Sequence, residues 1–319
     1  MSKRIIVTGS AGFIGFHLTK SLLDDGYEVF GIDNLNGYYD PKLKHARLEQ
    51  LEPYKNFTFQ KIDISNRESL TEAFTNFKPN KVVNLAAQAG VRYSIENPYA
   101  YMYANLVGFL NILELCRHNE VEGLIYASSS SVYGGNIKIP FSVGDRVDNP
   151  ISLYAATKKA DELIANTYSH LYNLYTTGLR YFTVYGPWGR PDMAMFLFTD
   201  KILRGEPIQV FNYGNMKRDF TYIDDIIAGT RSAIDKNYTC EIFNLGNHRS
   251  EELMDVVHLI EENLGKKAEI EFLPMQPGDL PESLADIEKS EEFLGFKPAT
   301  DISTGIENFV EWYKEYNTE

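Results

Sequence analysis

The sequence predicts a doubly wound α/β fold, a parallel sheet with helices on both faces, followed by a smaller C-terminal α/β unit. Three observations carry this. Short runs rich in Val, Ile, Leu and Phe recur along the first half, amphipathic spans separate them, and the first run leads directly into a glycine-rich turn. Apolar runs with little polar alternation suit strands covered on both faces, the usual condition of a parallel sheet.

In order, the predicted strands are RIIVTG (4–9), EVFGID (28–33), FTFQKID (57–63), KVVNLAA (81–87), GLIYASS (123–129) and TTGLRYF (176–182). FHLTKSLLDDG follows the glycine turn as a helix ending near Gly26. Asn97 is placed to cap a helix with Pro98 in its first turn, running to about Asn119. Another helix covers 154–174, with Ala160, Leu163, Ile164, Tyr168, Leu171 and Tyr172 at helical spacing. After about Phe182, Pro187, Pro191, Pro207 and several glycines break the chain into shorter elements. The expected division is therefore a nucleotide-binding domain over 1–182, with a return segment near 219–240, and a second domain over most of 183–319. Two further helices are predicted at 251–264 and 303–316, the first with Leu253, Val256, Val257, Ile260 and Leu264 along one stripe.

Hydrophobic content of 44% over 319 residues supports a sizeable core. The formal charge of -13, from 44 acidic and 31 basic residues, argues against the broad positive surface that nucleic acid or anionic lipid requires. Cys116 and Cys240 are the only cysteines and share no C-x-x-C spacing, and the six histidines show no metal-like pattern; neither a disulfide framework nor a metal site is expected, and a reducing compartment fits. Glycine and serine interrupt the N-terminal apolar run, and no other stretch reaches the roughly 18 apolar residues of a membrane span. The expectation is a cytoplasmic protein.

Residues 7–15, VTGSAGFIG, carry a strand into Gly9, Gly12 and Gly15 and then a helix. Glycines let the backbone turn tightly and approach a pyrophosphate, which the free N–H groups and dipole of the helix start attract. Position 10 is Ser, so the spacing departs from G-x-G-x-x-G, and the glycines alone leave dinucleotide binding and a plain βα turn both open. Asp33 favours the former: it ends the second strand, where a carboxylate accepts hydrogen bonds from an adenosine ribose. Asn34, Leu35 and Asn36 follow it rather than an Arg, so the site should repel a 2′-phosphate and take NAD in preference to NADP. Asp63, at the end of the third run, either reaches the adenine or only closes a turn.

The fifth run ends in four serines, Ser128 to Ser131. Hydroxyls at the C-terminal end of a buried strand are costly unless something polar binds there. Downstream, LYAATKK places Tyr154 and Lys158 at i and i+4, on one helix face, so that a phenol and an ammonium can meet one ligand. Alone, such a pair is ordinarily a surface contact; with the serines and the glycine turn it reads as a site. Ser128 and Ser131 also have a simpler reading as strand-end hydrogen bonders.

Gly9, Gly12, Gly15, Asp33, the serine run and Tyr154-x-x-x-Lys158 together resemble the extended short-chain dehydrogenase/reductase family. RDFTYIDDI (218–226) and QPGD (276–279) are similar to substrate-domain motifs of its nucleotide-sugar members, so the resemblance spans nearly the whole chain. SSSSVYGG, SLYAATKK and TVYGPWGRPDMA (183–194) look most like the UDP-glucuronate 4-epimerases.

That resemblance implies Ser129 in the catalytic Ser/Thr position, Tyr154 as acid/base and Lys158 as its electrostatic partner and ribose contact. It implies cofactor contacts from Phe13, Ile14, Asn34, Asn36, Asp63, Ile64, Leu85, Ala86, Ala87 and Asn105 as well. For the nucleotide sugar it implies Arg218 at the diphosphate, Gln209 of PIQVF along the uracil, and Ser130 and Ser131 beside the sugar. The chemistry is consistent with these roles. A phenol ordinarily titrates near pH 10, and serving as a base near pH 7 requires about 4 kcal/mol of preferential phenolate stabilisation, which nearby cations supply. The expected reaction is NAD-dependent inversion of C4 of a UDP-uronate through a transient ketone.

Dehydrating and decarboxylating relatives carry an acidic residue in the strand-end motif, where this chain has Ser129, Ser130 and Ser131. A ketone at C4 of a uronic acid is a β-keto acid and loses CO2 once its carboxylate bond aligns with the carbonyl π-system. Serine hydroxyls and Thr183 are expected to hold the carboxylate out of that alignment, with Arg190 nearby; Arg190 has alternative readings as a loop salt bridge or diphosphate contact, and Arg92 is a second candidate on the same grounds. The resemblance also implies a homodimer through the helices near 98–119 and 154–174. A UDP-glucose or UDP-N-acetylhexosamine 4-epimerase and a non-catalytic NAD-binding regulator are the competing functions.

Overall fold

All six predicted runs form strands of one parallel sheet in the computed structural model, which describes residues 3–318. They are β1 (Arg4–Thr8), β2 (Glu28–Asp33), β3 (Phe57–Lys61), β4 (Lys81–Asn84), β5 (Gly123–Ser129) and β6 (Thr176–Tyr181). Between them run α1 (Phe13–Asp24), α2 (Lys42–Glu49), α3 (Arg67–Phe77), α4 (Gly108–His118) and α5 (Leu153–Tyr172). A short strand, β7 (Thr183–Tyr185), follows β6. The rest of the chain supplies α6 (Ala194–Arg204), β8 (Ile208–Val210), β9 (Lys217–Arg218), β10 (Phe220–Tyr222), α7 (Ile223–Lys236), β11 (Cys240–Leu245), β12 (Glu251–Glu252), α8 (Leu253–Leu264), β13 (Ile270–Phe272), α9 (Glu288–Leu294) and α10 (Ile302–Tyr316).

Sheet order is β11-β6-β5-β4-β1-β2-β3, with every pairing parallel. Connections therefore reverse direction between β1 and β4, and ligands of open α/β sheets bind beyond the carboxyl ends of the strands at such a reversal. The pleat sends alternate side chains to opposite faces. Ile5 and Val7 join a core that continues into the C-terminal elements, while Ile6 packs with Val82, Leu124, Phe74 and Phe109 on the other face.

β11 extends the sheet beyond the sequence expectation, carrying the return segment to Leu245. Its first residue is exposed, the next two are half-buried and its pattern is mixed, so an edge strand of this kind lacks the continuous apolar signature of the inner ones. The rest of the chain past Phe182 forms two-stranded pairings, β7 with β10, β9 with β12 and β8 with β13, supported by α6, α8 and α10.

The helix expected from Asn97 to Asn119 is divided. Asn97 does cap it, accepting from the Ala100 N–H, and Pro98 opens it. A π-helical turn over Met102–Val107 then separates Pro98–Tyr101 from α4. Wider turns of this kind redirect a side chain relative to a regular helix and are frequent at functional sites; the residue redirected here is Asn105, buried at 1% exposure.

Arg47, fully buried, joins segments distant in sequence. Its Nη1 donates to Ala11 O of the glycine turn at 2.9 Å and to the Tyr39 hydroxyl at 2.8 Å, and its Nη2 donates to Trp188 O at 2.6 Å and Gly189 O at 3.2 Å. His17 adds a second tie, with Nε2–H donating to Pro187 O at 2.9 Å. The glycine turn and the loop after β7 are thereby one unit. Among the described residues, no helix is long and apolar enough to cross a membrane and no His/Cys/Asp/Glu group could hold a metal ion.

Burial, reinforced by the charges of Arg47 and Lys20, lowers His17 from 6.5 to about 4. The unfolded chain takes up a proton between those limits that the folded chain refuses, so this residue's contribution to stability falls as pH drops through the window. Thermal melts of the wild type and His17→Gln should show the wild-type advantage shrinking from about pH 7 to about pH 5. A constant gap would contradict the assignment of a neutral, inward-facing imidazole.

Candidate active site

One cavity of about 890 Å³ opens at the strand-order reversal and runs from the glycine turn to the C-terminal elements. Every residue assigned a site role from the sequence lines it except Asn105.

At the glycine end, Gly9 adopts φ +71° and its N–H donates to Ile32 O at 2.6 Å, fastening the turn to the end of β2. A Cβ at Gly15 would lie 2.0 Å from Gly9 O, so only glycine lets α1 start this close to the turn. Gly12, the N-cap, has no side chain to cap with, and no acidic residue occupies the first turn. The N–H groups of that turn thus remain available to an anion.

Asp33 is buried at the end of β2, accepting from Leu35 N at 2.8 Å and lying 3.5 Å from Lys44 Nζ. Lys44 Nζ also donates to Asn36 Oδ1 at 3.2 Å. This ammonium was missed from the sequence, because it arrives from α2 with no motif around it. Asp63 accepts from Asn34 Nδ2 at 2.8 Å and from the Ser65 N–H and hydroxyl. Burial would raise its pKa, but those hydrogen bonds win and hold the carboxyl below its ordinary value. The two acidic strand ends and both asparagines therefore form one polar rim.

The middle of the cavity holds the serines, Tyr154 and Lys158. Ser152 caps α5 by accepting from the Ala155 N–H at 3.1 Å, which sets the helix start and puts Tyr154 in its first turn. Lys158, one turn on and buried, donates to Ala127 O at 2.9 Å and Asp161 Oδ2 at 3.1 Å. Ala127 belongs to β5, so the same contact that anchors the ammonium registers α5 against the strand ending in Ser129. Ser129 Oγ accepts from Ser131 N at 3.2 Å and donates to Ser131 Oγ at 3.1 Å. Ser128 behaves as the simpler strand-end reading expected, giving its proton to Glu162 at 2.7 Å.

Asn105 departs from its expected role as a cofactor contact. Its Oδ1 accepts from Gln88 N at 2.8 Å, and its Nδ2 donates to Gln88 O at 3.1 Å and Thr157 Oγ1 at 3.0 Å. Thr157 Oγ1 in turn donates to Tyr154 O at 2.8 Å. With both amide donors engaged behind the cavity wall, Asn105 braces the backbone under Tyr154 against the segment after β4.

The two candidate arginines for the sugar also separate. Arg190 Nε donates to Asp192 Oδ1 at 3.0 Å, its Nη2 bonds the other oxygen, and the Tyr38 hydroxyl donates to that oxygen at 3.0 Å. Its guanidinium lies within electrostatic reach of Tyr154, but its fork is occupied by Asp192, as the loop salt-bridge reading anticipated. Arg92 is not its companion. It pairs with Asp279 at 3.1 Å and stacks over Phe211 at 4.4 Å, beside Arg218. That is the far end, where Gln209 faces outward between buried Ile208 and Val210. Arg218 donates to Lys217 O and Pro281 O and still lines the cavity, and Thr183, at the start of β7, lines it too. Tyr38, Asp192 and Asp279 complete the walls; the two acids fall in the GRPDMA and QPGD stretches, whereas no local sequence pattern marks Tyr38.

The arrangement can hold a dinucleotide along the glycine turn and rim, an anionic group between Arg92 and Arg218, and a small polar ring beside Ser129 and Tyr154. In a protein of net charge -13, Lys44, Lys158, Arg92, Arg190 and Arg218 bring cations to one cavity. Residues 5–246 match the NAD-dependent epimerase/dehydratase family. An uncharacterised protein of Methanocaldococcus jannaschii is 55% identical, over 98% of this chain and 97% of its own. UDP-glucuronate 4-epimerase 4 of Arabidopsis thaliana is 47% identical, over 98% of this chain and 75% of its own. The crystal structure of UDP-glucuronic acid 4-epimerase from Bacillus cereus, in complex with UDP-glucuronic acid and NAD, superposes with a TM-score of 0.91 at 35% identity, covering 98% of this chain and 99% of that one.

Proposed function

The chain belongs to the NAD-dependent epimerase/dehydratase family, and we propose that it is a UDP-glucuronate 4-epimerase in which Tyr154, Lys158 and Ser129 carry the reaction. The observation that supports this most directly is the meeting of those three side chains in one cavity, with the glycine turn at one end and Arg92 and Arg218 at the other.

NAD fits the residues present: Gly15 admits the close turn, the open start of α1 faces the pyrophosphate, and Asp33 and Asn36 offer acceptors to the ribose. When bound, it would supply a reversible hydride acceptor for C4 of the sugar. The chain's own groups do the rest. Tyr154, as phenolate, takes the O4 proton and later returns it, so the protonic balance closes on one side chain. Lys158, fixed by Ala127 and Asp161, supplies the adjacent positive charge, and Arg190 adds a second. Ser129 donates to the carbonyl oxygen that develops at C4.

The ketone is a β-keto acid, and the cavity bears on its fate. Asp192 lies in the wall, but both of its oxygens are engaged by Arg190 and one by Tyr38. With Arg190 and Tyr38 holding it below its ordinary value against the upward push of burial, it makes a poor base for a C5 proton. Serine hydroxyls therefore face the sugar where a dehydrating site needs a free carboxylate. In this reading β1 to β6, α7 and β11 serve NAD, and most of the remaining chain after Phe182 serves the UDP-sugar.

A homodimer fits the outer surface. Tyr103 on the π turn, Leu110 on α4, and Leu163 and Leu171 on α5 are exposed, and α4 and α5 are joined by the Tyr168 hydroxyl donating to Glu114 at 2.7 Å. Such an unpaired apolar face suits a self-complementary contact. Both cysteines are free thiols, in keeping with a cytoplasmic setting.

Proton NMR of the enzyme with UDP-glucuronate should show UDP-galacturonate forming without pentose or CO2, and Tyr154→Phe should lower turnover by at least about a thousandfold while binding the sugar. Undiminished turnover in that variant, or a requirement for UDP-glucose instead, would overturn the assignment. Sedimentation should give twice the 36.4 kDa chain mass, falling to one chain in Leu163→Asp; a monomeric wild type would refute the dimer.

A further inference from the structure

Asp161 stands behind Lys158, outside the cavity, at 1% exposure. Its Oδ2 accepts from Lys158 Nζ at 3.1 Å, and its Oδ1 is buried with no hydrogen-bond partner. Half of this carboxylate is therefore paired and half is desolvated without return, an expensive arrangement for a group that only had to fill space. The other charged and titratable groups near it are accounted for. On its own helix Glu162 is taken by Arg180 of β6 at 2.8 and 2.9 Å, by Ser128, and by Lys159. Tyr126 of β5 lies within electrostatic reach of Asp161 as well. Lys158 is the single cation drawn to Asp161.

We propose that Asp161 is a positioning residue that sets the pH window of the Tyr154–Lys158 pair, by holding one negative charge against the ammonium on the side away from the phenol. Two effects in the same direction follow from Coulomb's law in a low-dielectric setting. The carboxylate offsets part of the ammonium's pull on the phenolate, so the phenol keeps its proton to higher pH. It also stabilises the ammonium, so Lys158 keeps its charge to higher pH. Both limbs of a bell-shaped profile are thereby moved upward, and the pair remains basic enough to take the O4 proton completely. Burial pushes the Asp161 carboxyl up to about 6, with Lys158 pulling it back down, so it carries its charge through the neutral range.

This inference rests on Tyr154 being the acid/base, and the test separates the two. Asp161→Asn keeps the shape and an oxygen that accepts from Lys158 Nζ while removing the charge. The kcat/KM profile of the NAD-loaded enzyme should shift down on both limbs by about one pH unit, and the near-ultraviolet phenolate signal, taken as the difference from Tyr154→Phe, should titrate lower by the same amount. Asp161→Ser, smaller and equally neutral, should move the limbs in the same direction, and thermal melts establish that each variant is folded. Lower activity with both limbs and the phenolate signal unmoved in the folded variants would overturn the role of Asp161. Unchanged turnover in Tyr154→Phe itself would instead refute the acid/base assignment beneath it.

Discussion

A buried ammonium is the constraint on which the site depends. Lys158 is nearly inaccessible, and taking such a charge out of water costs several kcal/mol unless it is paired and hydrogen-bonded. Ala127 O and Asp161 are its partners, and they lie on different elements. Satisfying the charge therefore forces α5 to sit in one register against β5. Tyr154 is one turn away on the same helix face, and Ser129 is two residues along the same strand. The electrostatic requirement of one side chain thus fixes the relative placement of the other two. Asn105 and Thr157 secure the same helix from beneath, through the π turn that brings the amide inward.

A second set of contacts ties the N-terminal glycine turn to the loop after β7. Arg47 bonds the glycine turn to Trp188 and Gly189, His17 bonds α1 to Pro187, and Tyr38 reaches from the segment after β2 to Asp192. These ties hold the loop after β7 to the glycine turn and to the segment after β2. A loop held to the cofactor end at several points leaves the reacting carbon little freedom to leave during the life of a ketone, which suits a reaction that must return what it removes.

Much of this could be read from the chain. Gly9, Gly12 and Gly15 lie in a strand-turn-helix context whose physics is local, Asp33 ends an apolar run, and the Tyr154 and Lys158 spacing is a property of any helix. The unread parts are all long-range. Lys44 and Arg47 act on residues far from them in sequence and carry no motif. Asn105 and Arg92 lie in the expected segments, but their roles are set by partners, Gln88 and Thr157 for one and Asp279 and Phe211 for the other, that folding alone supplies. β11 was only partly anticipated because an edge strand need not be continuously apolar.

The central claim is that C4 is oxidised and reduced in place, with the proton kept on Tyr154 and the hydrogen of C4 never released to water. UDP-glucuronate carrying deuterium at C4 tests this most directly. The account predicts UDP-galacturonate with its C4 deuterium fully retained and no protium entering that position from solvent. Loss of the label to water during inversion would mean that the C4 hydrogen leaves as a proton, and would contradict the account.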